Sequence, residues 1–399
     1  MNHRTTELEH LLSAVRLCLA QGGRYLVSRC APHGPIMREP NLSYIHKAAW
    51  GMYAGGVDHA LQPNGDFYLP GEGLEYKDMQ RAYRPLTFGK VAAWIGHPLI
   101  RDERVVGRLL QYQHASGGCF NYIGDGPEVQ EQPTLGTLNT SFFGHLMLAL
   151  GRREEALRAG DWLRRWVQAN AAHMAEDGVL YSSMTPAGAL VTNLVLGARM
   201  AGMVDNRAPK QEFWQVGTTM AYLAVLYDHM RQEWGHSAEA AQPYLDSALL
   251  LLDFEATMPL ETYLWPSKCK VAWGAGELLR VLVRYGLGSA AQVEMAYQAA
   301  RKTAVFTFMD NQLPHGGWSC MHYPLSELAP ELPYDYKPLG GLVAIPDGPI
   351  PGSQTIWLPS EEITGEFLGE IKSVELGVLA LLEKAGRPTT GTWRTQRQE

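Results

Sequence analysis

Glu362, Glu366 and Glu370 stand at i, i+4 and i+8 in a segment that otherwise reads as a buried helix. That spacing lines three carboxylates along one helical face. Beside them runs an apolar seam of Phe367, Ile371, Val374 and Val378. A carboxyl group bordering a buried face keeps its proton to higher pH and can serve as a general acid. Glu366 and Glu362 are therefore the candidate proton donors. A solvated or salt-bridged stripe would give the same spacing with no chemistry. Ser360 is expected to cap this helix, and Glu361 and Glu362 in its first turn suit the helix dipole without any function.

Residues 310–359 form a second candidate, a long loop rich in proline and glycine. It carries Asp310, His315, Trp318, Cys320, His322, Tyr323, Asp335 and Tyr336. Loops of that length in compact domains usually serve as lids or substrate walls. His315 or His322 can act as acid or base near neutral pH. Asp310 joins them as a catalytic candidate, and Tyr336 and Trp318 as substrate contacts. A third patch, Glu72, Glu75, Tyr76, Lys77 and Asp78, precedes a helix. Its acids could oppose Glu366 across a cavity, as hydrolysis or proton relay requires; Glu75 and Tyr76 are taken as binding residues. Trp214, Trp265, Lys268 and Trp273 flank two further helices, where indole faces can stack on a sugar or shield a cation. Asn139, Thr140, His145, His46 and Lys47 also lie in such helices, and a plain core role suits them equally well.

Cys320-x-His322 holds two metal-ligand types, and Cys119 and Cys269 sit at comparable places in the helical pattern. Zinc needs three or four converging ligands, so no metal is expected on spacing alone. No GxxxxGK[ST] run or convincing GxGxxG is present. The expectation is a cofactor-independent protein.

The elements that must hold these residues are helical. Six segments are apolar on more than one face and rich in small residues: 43–56, 79–96, 139–151, 212–229, 268–286 and 361–382. Helices of that kind belong in an interior. Amphipathic segments alternate with them, at 8–27, 102–113, 152–173, 237–258 and 290–309. In 152–173, Leu157, Trp162, Leu163 and Val167 share one buried face. Each inner–outer pair cannot bury its own apolar surface, so neighbours must close around it. The reading is all-α: an (α/α)6 toroid of inner and outer helices, one domain spanning 1–399. Between Gly56 and Asn64 there is no room for an outer helix, so the ring is expected to lack one there.

The Q-x-x-x-G-G run at Gln113–Gly118, followed by Phe120, and the GGW at Gly316–Trp318 resemble the repeat of terpenoid cyclases and protein prenyltransferases. AWGAGELLRVL at 272–282 resembles helices of six-hairpin glycosidases and sugar epimerases, and of lanthionine cyclases. The likeness supports the toroid more than any one chemistry. The chain departs from these families at their catalytic positions. It has no Asp-x-Asp-Asp run of class II terpene cyclases, no DDxxD, and no Trp-Cys-x-Gly or Cys-His-Gly of lanthionine cyclases.

Composition sets the remaining bounds. The 399 residues are 46% hydrophobic and 19% charged, with a net charge of -7. That is enough apolar material for a large core, and an acidic balance disfavours nucleic acid or an anionic membrane as partner. Charges recur through the first twenty residues, so neither a signal peptide nor a membrane span is expected. Five scattered cysteines suit a reducing cytoplasm. The reading that follows is an acid–base cyclase or isomerase acting on a hydrophobic terpenoid- or polyketide-like small molecule. A carbohydrate epimerase, glycosidase or lyase is the alternative, and a non-catalytic binding protein the third.

Overall fold

The computed structural model describes residues 3–30, 47–55, 82–120, 133–194, 202–209, 211–324 and 355–387. Eleven α-helices lie among them. They are α1 (His3–Ser28), α2 (Ala48–Ala54), α3 (Tyr83–Trp94), α4 (Glu103–Leu110), α5 (Thr137–Ala149) and α6 (Arg153–Ala172), then α7 (Trp214–Gln232), α8 (Ala238–Ala256), α9 (Cys269–Tyr285), α10 (Ala290–Lys302) and α11 (Ser360–Lys384). Short strand pairs connect them. The longest joins β1 (Met321–Pro324) to β2 (Thr355–Leu358), antiparallel, with His322 opposite Trp357.

Six helices close a ring. α2 packs on α3, α3 on α5, α5 on α7, α7 on α9, α9 on α11, and α11 returns to α2. These are the six segments apolar on several faces, and nearly every residue in them is buried. Glycines set how closely they approach. A Cβ at Gly365 would run into the Ala48 backbone, and one at Gly217 into Lys270. The amphipathic helices lie outside: α1 against α11, α6 against α5 and α7, α8 against α7, and α10 against α9. The molecule is an α/α toroid. Residues 56–81, where an outer helix was expected to be missing, lie outside the described residues.

Two turns that lead into inner helices are built alike. Gln113 Nε2 donates to the Gly117 carbonyl at 3.1 Å and to Glu155 O on α6 at 2.9 Å. Gln312 Nε2 donates to the Gly316 carbonyl at 2.7 Å and to Cys18 O on α1 at 2.9 Å. The next links also match: Cys119 N–H donates to Thr140 Oγ1 on α5, and Trp318 N–H to Thr364 Oγ1 on α11. Gly117 (φ +99°) and Gly316 (φ +93°) hold a left-handed backbone against a carbonyl of the outer helix, where a side chain would not fit. The repeat seen in the sequence is thus a structural one. Each turn pins an outer helix to the next inner one.

Two expectations change in detail. Pro359, with extended ψ, takes the N-cap of α11, and Ser360 is its first helical residue without a side-chain cap bond. The segment 290–309 is α-helical only to Lys302 and continues as a π-turn over Thr303–Phe308. No helix among the described residues is long and apolar enough to cross a membrane.

Candidate functional site

The N-terminal turns of α2, α3, α9 and α11 meet at one end of the ring. There the acidic face of α11 finds its partners on two facing helices. Lys47, at the N-cap of α2, donates its backbone N–H to Glu362 Oε2 at 2.8 Å, and its Nζ lies 3.8 Å from Glu362 Oε1. The same Nζ bonds Glu366. Lys270, in the first turn of α9, bonds Glu366 with its own Nζ and reaches Glu370 Oε1 at 2.6 Å. Acids and cations therefore alternate down the wall as Glu362, Lys47, Glu366, Lys270, Glu370. All five are buried. Buried charges persist only when paired and hydrogen-bonded. Glu366 meets that condition between Lys47 and Lys270, and Glu370 is ion-paired with Lys270.

Glu362 is the exception at the top. Burial pushes its carboxyl up to about 7, with the Lys47 charge and N–H holding it from rising further. A carboxylic acid poised near neutrality inside a protein is what general acid catalysis needs. Glu366 sits between two ammonium groups, which suits it to position and neutralise rather than to donate a proton.

Below the ladder, four inner helices send aromatic rings toward one amine. Lys90 Nζ of α3 lies 3.6 Å from the Trp50 ring centroid, 4.8 Å from Trp273, and 5.0 Å from both Trp94 and Phe142. Lys90 is wholly buried, and burial drives its amine well below the usual lysine range. His145 of α5 stacks on Trp273 with centroids 4.7 Å apart. Burial and the nearby Lys90 hold His145 well below the usual histidine range. The ring thus carries a protonatable acid at its mouth and two groups biased to neutral nitrogen deeper in.

Cys269 Sγ and oxygens of Glu366 and Glu370 lie within 4.8 Å of one another, a grouping that could hold a metal. Lys270 Nζ bonds both carboxylates and stands 3.6 Å from that sulfur. The Lys270 amine thus lies against all three groups.

Of the residues singled out in the sequence, Glu362, Glu366, Glu370, Lys47, Cys269, His145 and Trp273 converge here. The others are dispersed. Lys268 is turned away from the axis and pairs with Glu255 of α8 at 2.7 Å, both side chains wholly buried. Trp318 plugs the wall between Phe308 and Phe367, its Nε1 donating to Phe308 O. His315 is exposed, stacks on Tyr25 of α1 and accepts the Gly317 N–H, so it shapes its turn. Asp310 is exposed. Trp265 is buried ahead of α9, and Trp214 is half-buried at the start of α7. Glu361 pairs with Arg29, just past the end of α1, at 2.6 Å. The backbone of His322 lies in β1. The His322 side chain and residues His46, Glu72, Glu75, Tyr76, Lys77, Asp78, Asp335 and Tyr336 fall outside the described residues.

Lys90, Lys270, Trp50 and Tyr83 were missed. Lys90 had a legible signal: it is the only charge in LTFGKVAAW, a run apolar all round. Lys270 was passed over for Lys268. Two residues apart, the two point to opposite sides of the wall, roughly 200° around a helix.

No protein-family model matches the chain, and no curated protein matches its sequence significantly. Solved structures align along most of its length. A variant of the type II terpene cyclase MstE from Scytonema, in complex with geranylgeranyl dihydroxybenzoate, aligns with a TM-score of 0.48 and 14% identity over 93% of this chain and 99% of that one. An α-1,6-mannanase, GH76A of Salegentibacter, aligns with a TM-score of 0.46 and 11% identity over 90% and 99%. A GH76 α-mannanase from Bacteroides thetaiotaomicron gives 0.41 and 10% over 94% and 96%.

Proposed function

We propose that this protein is an acid–base isomerase or cyclase acting on a largely hydrophobic, carbonyl-bearing small molecule within the ring. The observation that carries the reading is Glu362, a buried carboxyl at the end of the ladder that accepts the Lys47 N–H at 2.8 Å and that burial pushes up to about 7. It would donate to the substrate oxygen as the adjacent carbon gives up a proton to a water molecule. The Lys47 ammonium and N–H would steady the charge left on Glu362. Trp50, Trp273, Phe142 and Tyr83 would supply apolar walls.

Two features direct the chemistry toward a carbonyl. An amine biased to its neutral form at the centre of an aromatic cage is a nucleophile, and it would intercept a free carbocation. The carbohydrate alternative needs two acids facing each other across the substrate. Among the described residues the axial acids stand on one helix, and lysines face them.

The test uses proton exchange, which needs no knowledge of the product. The chain is incubated in D2O with a panel of unsaturated aliphatic and aromatic ketones, and deuterium uptake is read by mass. Uptake should be catalysed for some members and should fall about 10²- to 10⁴-fold in Glu362→Gln. Equal uptake in that variant, with the protein still folded, would sink the reading.

A further inference from the structure

The second buried lysine at the axis has no role in the proton transfer described so far. No hydrogen-bond acceptor among the described residues meets Lys90 Nζ. Around it stand Trp50 from α2, Trp94 from its own helix, Phe142 from α5 and Trp273 from α9. The titratable groups that bear on it are Lys270 of α9, Glu370 of α11 and His145 of α5. Glu370 is already engaged by Lys270. A buried lysine kept for structure takes a carboxylate, as Lys268 takes Glu255. A residue needed only to fill the space would be apolar. What the ring holds instead is an amine next to another cation, walled by ring faces, the setting in which lysine becomes a nucleophile toward carbonyl carbon.

We propose that Lys90 is a covalent capture site for aldehydes and ketones carrying an apolar chain, which it binds as an imine at Nζ. The Nζ lone pair attacks the carbonyl carbon, the π pair of the C=O bond moves to oxygen, and that oxygen takes a proton. The carbinolamine then expels the oxygen as water while the C=N bond forms. Both amine protons leave on that water, so the step balances without an oxidant or reductant. The aromatic walls suit the chain, and when the imine is protonated they also suit its charge. A protonated imine acidifies the neighbouring C–H, so the consequence of the capture rests on the acid–base reading above, whereas its detection does not.

The full-length chain is mixed at pH 7 with one equivalent of octanal and with sodium cyanoborohydride, which fixes imines as stable secondary amines. Ordinary lysines are almost wholly protonated at that pH. The expected result is one octyl group on the peptide containing Lys90, added at least about tenfold faster than on any other lysine. Lys90→Met keeps the length of the side chain and should lose the fast label while retaining a cooperative melt. Lys90→Arg places a permanent cation in the cage, cannot form an imine, and should lose it as well. Label spread evenly over surface lysines, or a fast label that survives in either variant, overturns the proposal. The readout is a mass on a peptide, so loss or retention of exchange in Glu362→Gln does not decide it.

Discussion

Lys268 and Lys90 are both wholly buried in the inner wall, yet they are treated in opposite ways. Lys268 faces outward between the two helical layers. There Glu255 receives it through both carboxylate oxygens, at 2.7 and 2.9 Å, and Met258 Sδ approaches to 2.9 Å. Lys90 faces the axis and is met by rings. The first arrangement compensates a charge; the second leaves an amine reactive. Stability and chemistry are thus assigned to different faces of one wall. The helix ends follow this division in part, since outer helix α6 also lacks a side-chain cap. Outer helices α4, α8 and α10 have side-chain caps from Asp102, Ser237 and Ser289, while no described inner helix has one.

The largest effect expected from this contrast is on the outward-facing pair. Glu255→Ala leaves the Lys268 ammonium buried without a counter-charge and should cost about 3–5 kcal/mol. The urea midpoint at constant m-value measures it. A cost under about 1 kcal/mol would mean that Lys268 does not need its partner and that the contrast fails.

Glu362 comes next, through pH. Its carboxyl is raised from 4.5 to about 7 in the folded chain. The folded state then holds a proton that the unfolded state has already lost. The stability this contributes is fully present below about 4.5 and is lost as pH rises through about 7. The difference is on the order of 3 kcal/mol. Unfolding curves of the wild type minus those of Glu362→Gln should show that fall between pH 4 and pH 8. A flat difference would show that Glu362 is not an unusual acid.

Lys90→Met should change stability in the opposite sense to Glu255→Ala. Removing an amine that no carboxylate pairs, while keeping its volume, is expected to stabilise by about 1–2 kcal/mol, read as a higher melting temperature. A drop of the size seen for Glu255→Ala would place both lysines in one class. The smallest effect is local. Ser289→Ala removes one half of the capping box it forms with Gln292 on α10 and should cost about 1 kcal/mol without touching proton exchange or labelling.

Much of the scaffold was legible. Segments apolar all round became inner helices and striped ones became outer helices, because burial on several sides demands composition that survives without knowledge of neighbours. The Gln-x-x-x-Gly-Gly turn at 113–118 and the Gly-Gly-Trp at 316–318 were legible for the same reason, while the matching Gln312 became visible only in its hydrogen bonds. Each needs a side-chain amide at one end and a left-handed glycine at the other, and local sequence supplies both. The candidate site was only half legible. The spacing of Glu362, Glu366 and Glu370 announced a shared face, but their cations come from residues 47 and 270, far away in the chain. His315 carried the right side-chain type and occupies the wrong surface, since ring stacking on Tyr25 satisfies it there.

By itself, then, the sequence determined the helical class, the division into inner and outer helices, and the alignment of three acids. Those properties depend on periodicity and composition within single segments. Only the tertiary structure decided which acid is left holding a proton near neutrality and which lysine pairs and which stays uncompensated. A carboxyl's proton affinity and an amine's charge are set by groups within a few ångströms, and ring closure alone brings α2, α3, α5, α9 and α11 to that distance.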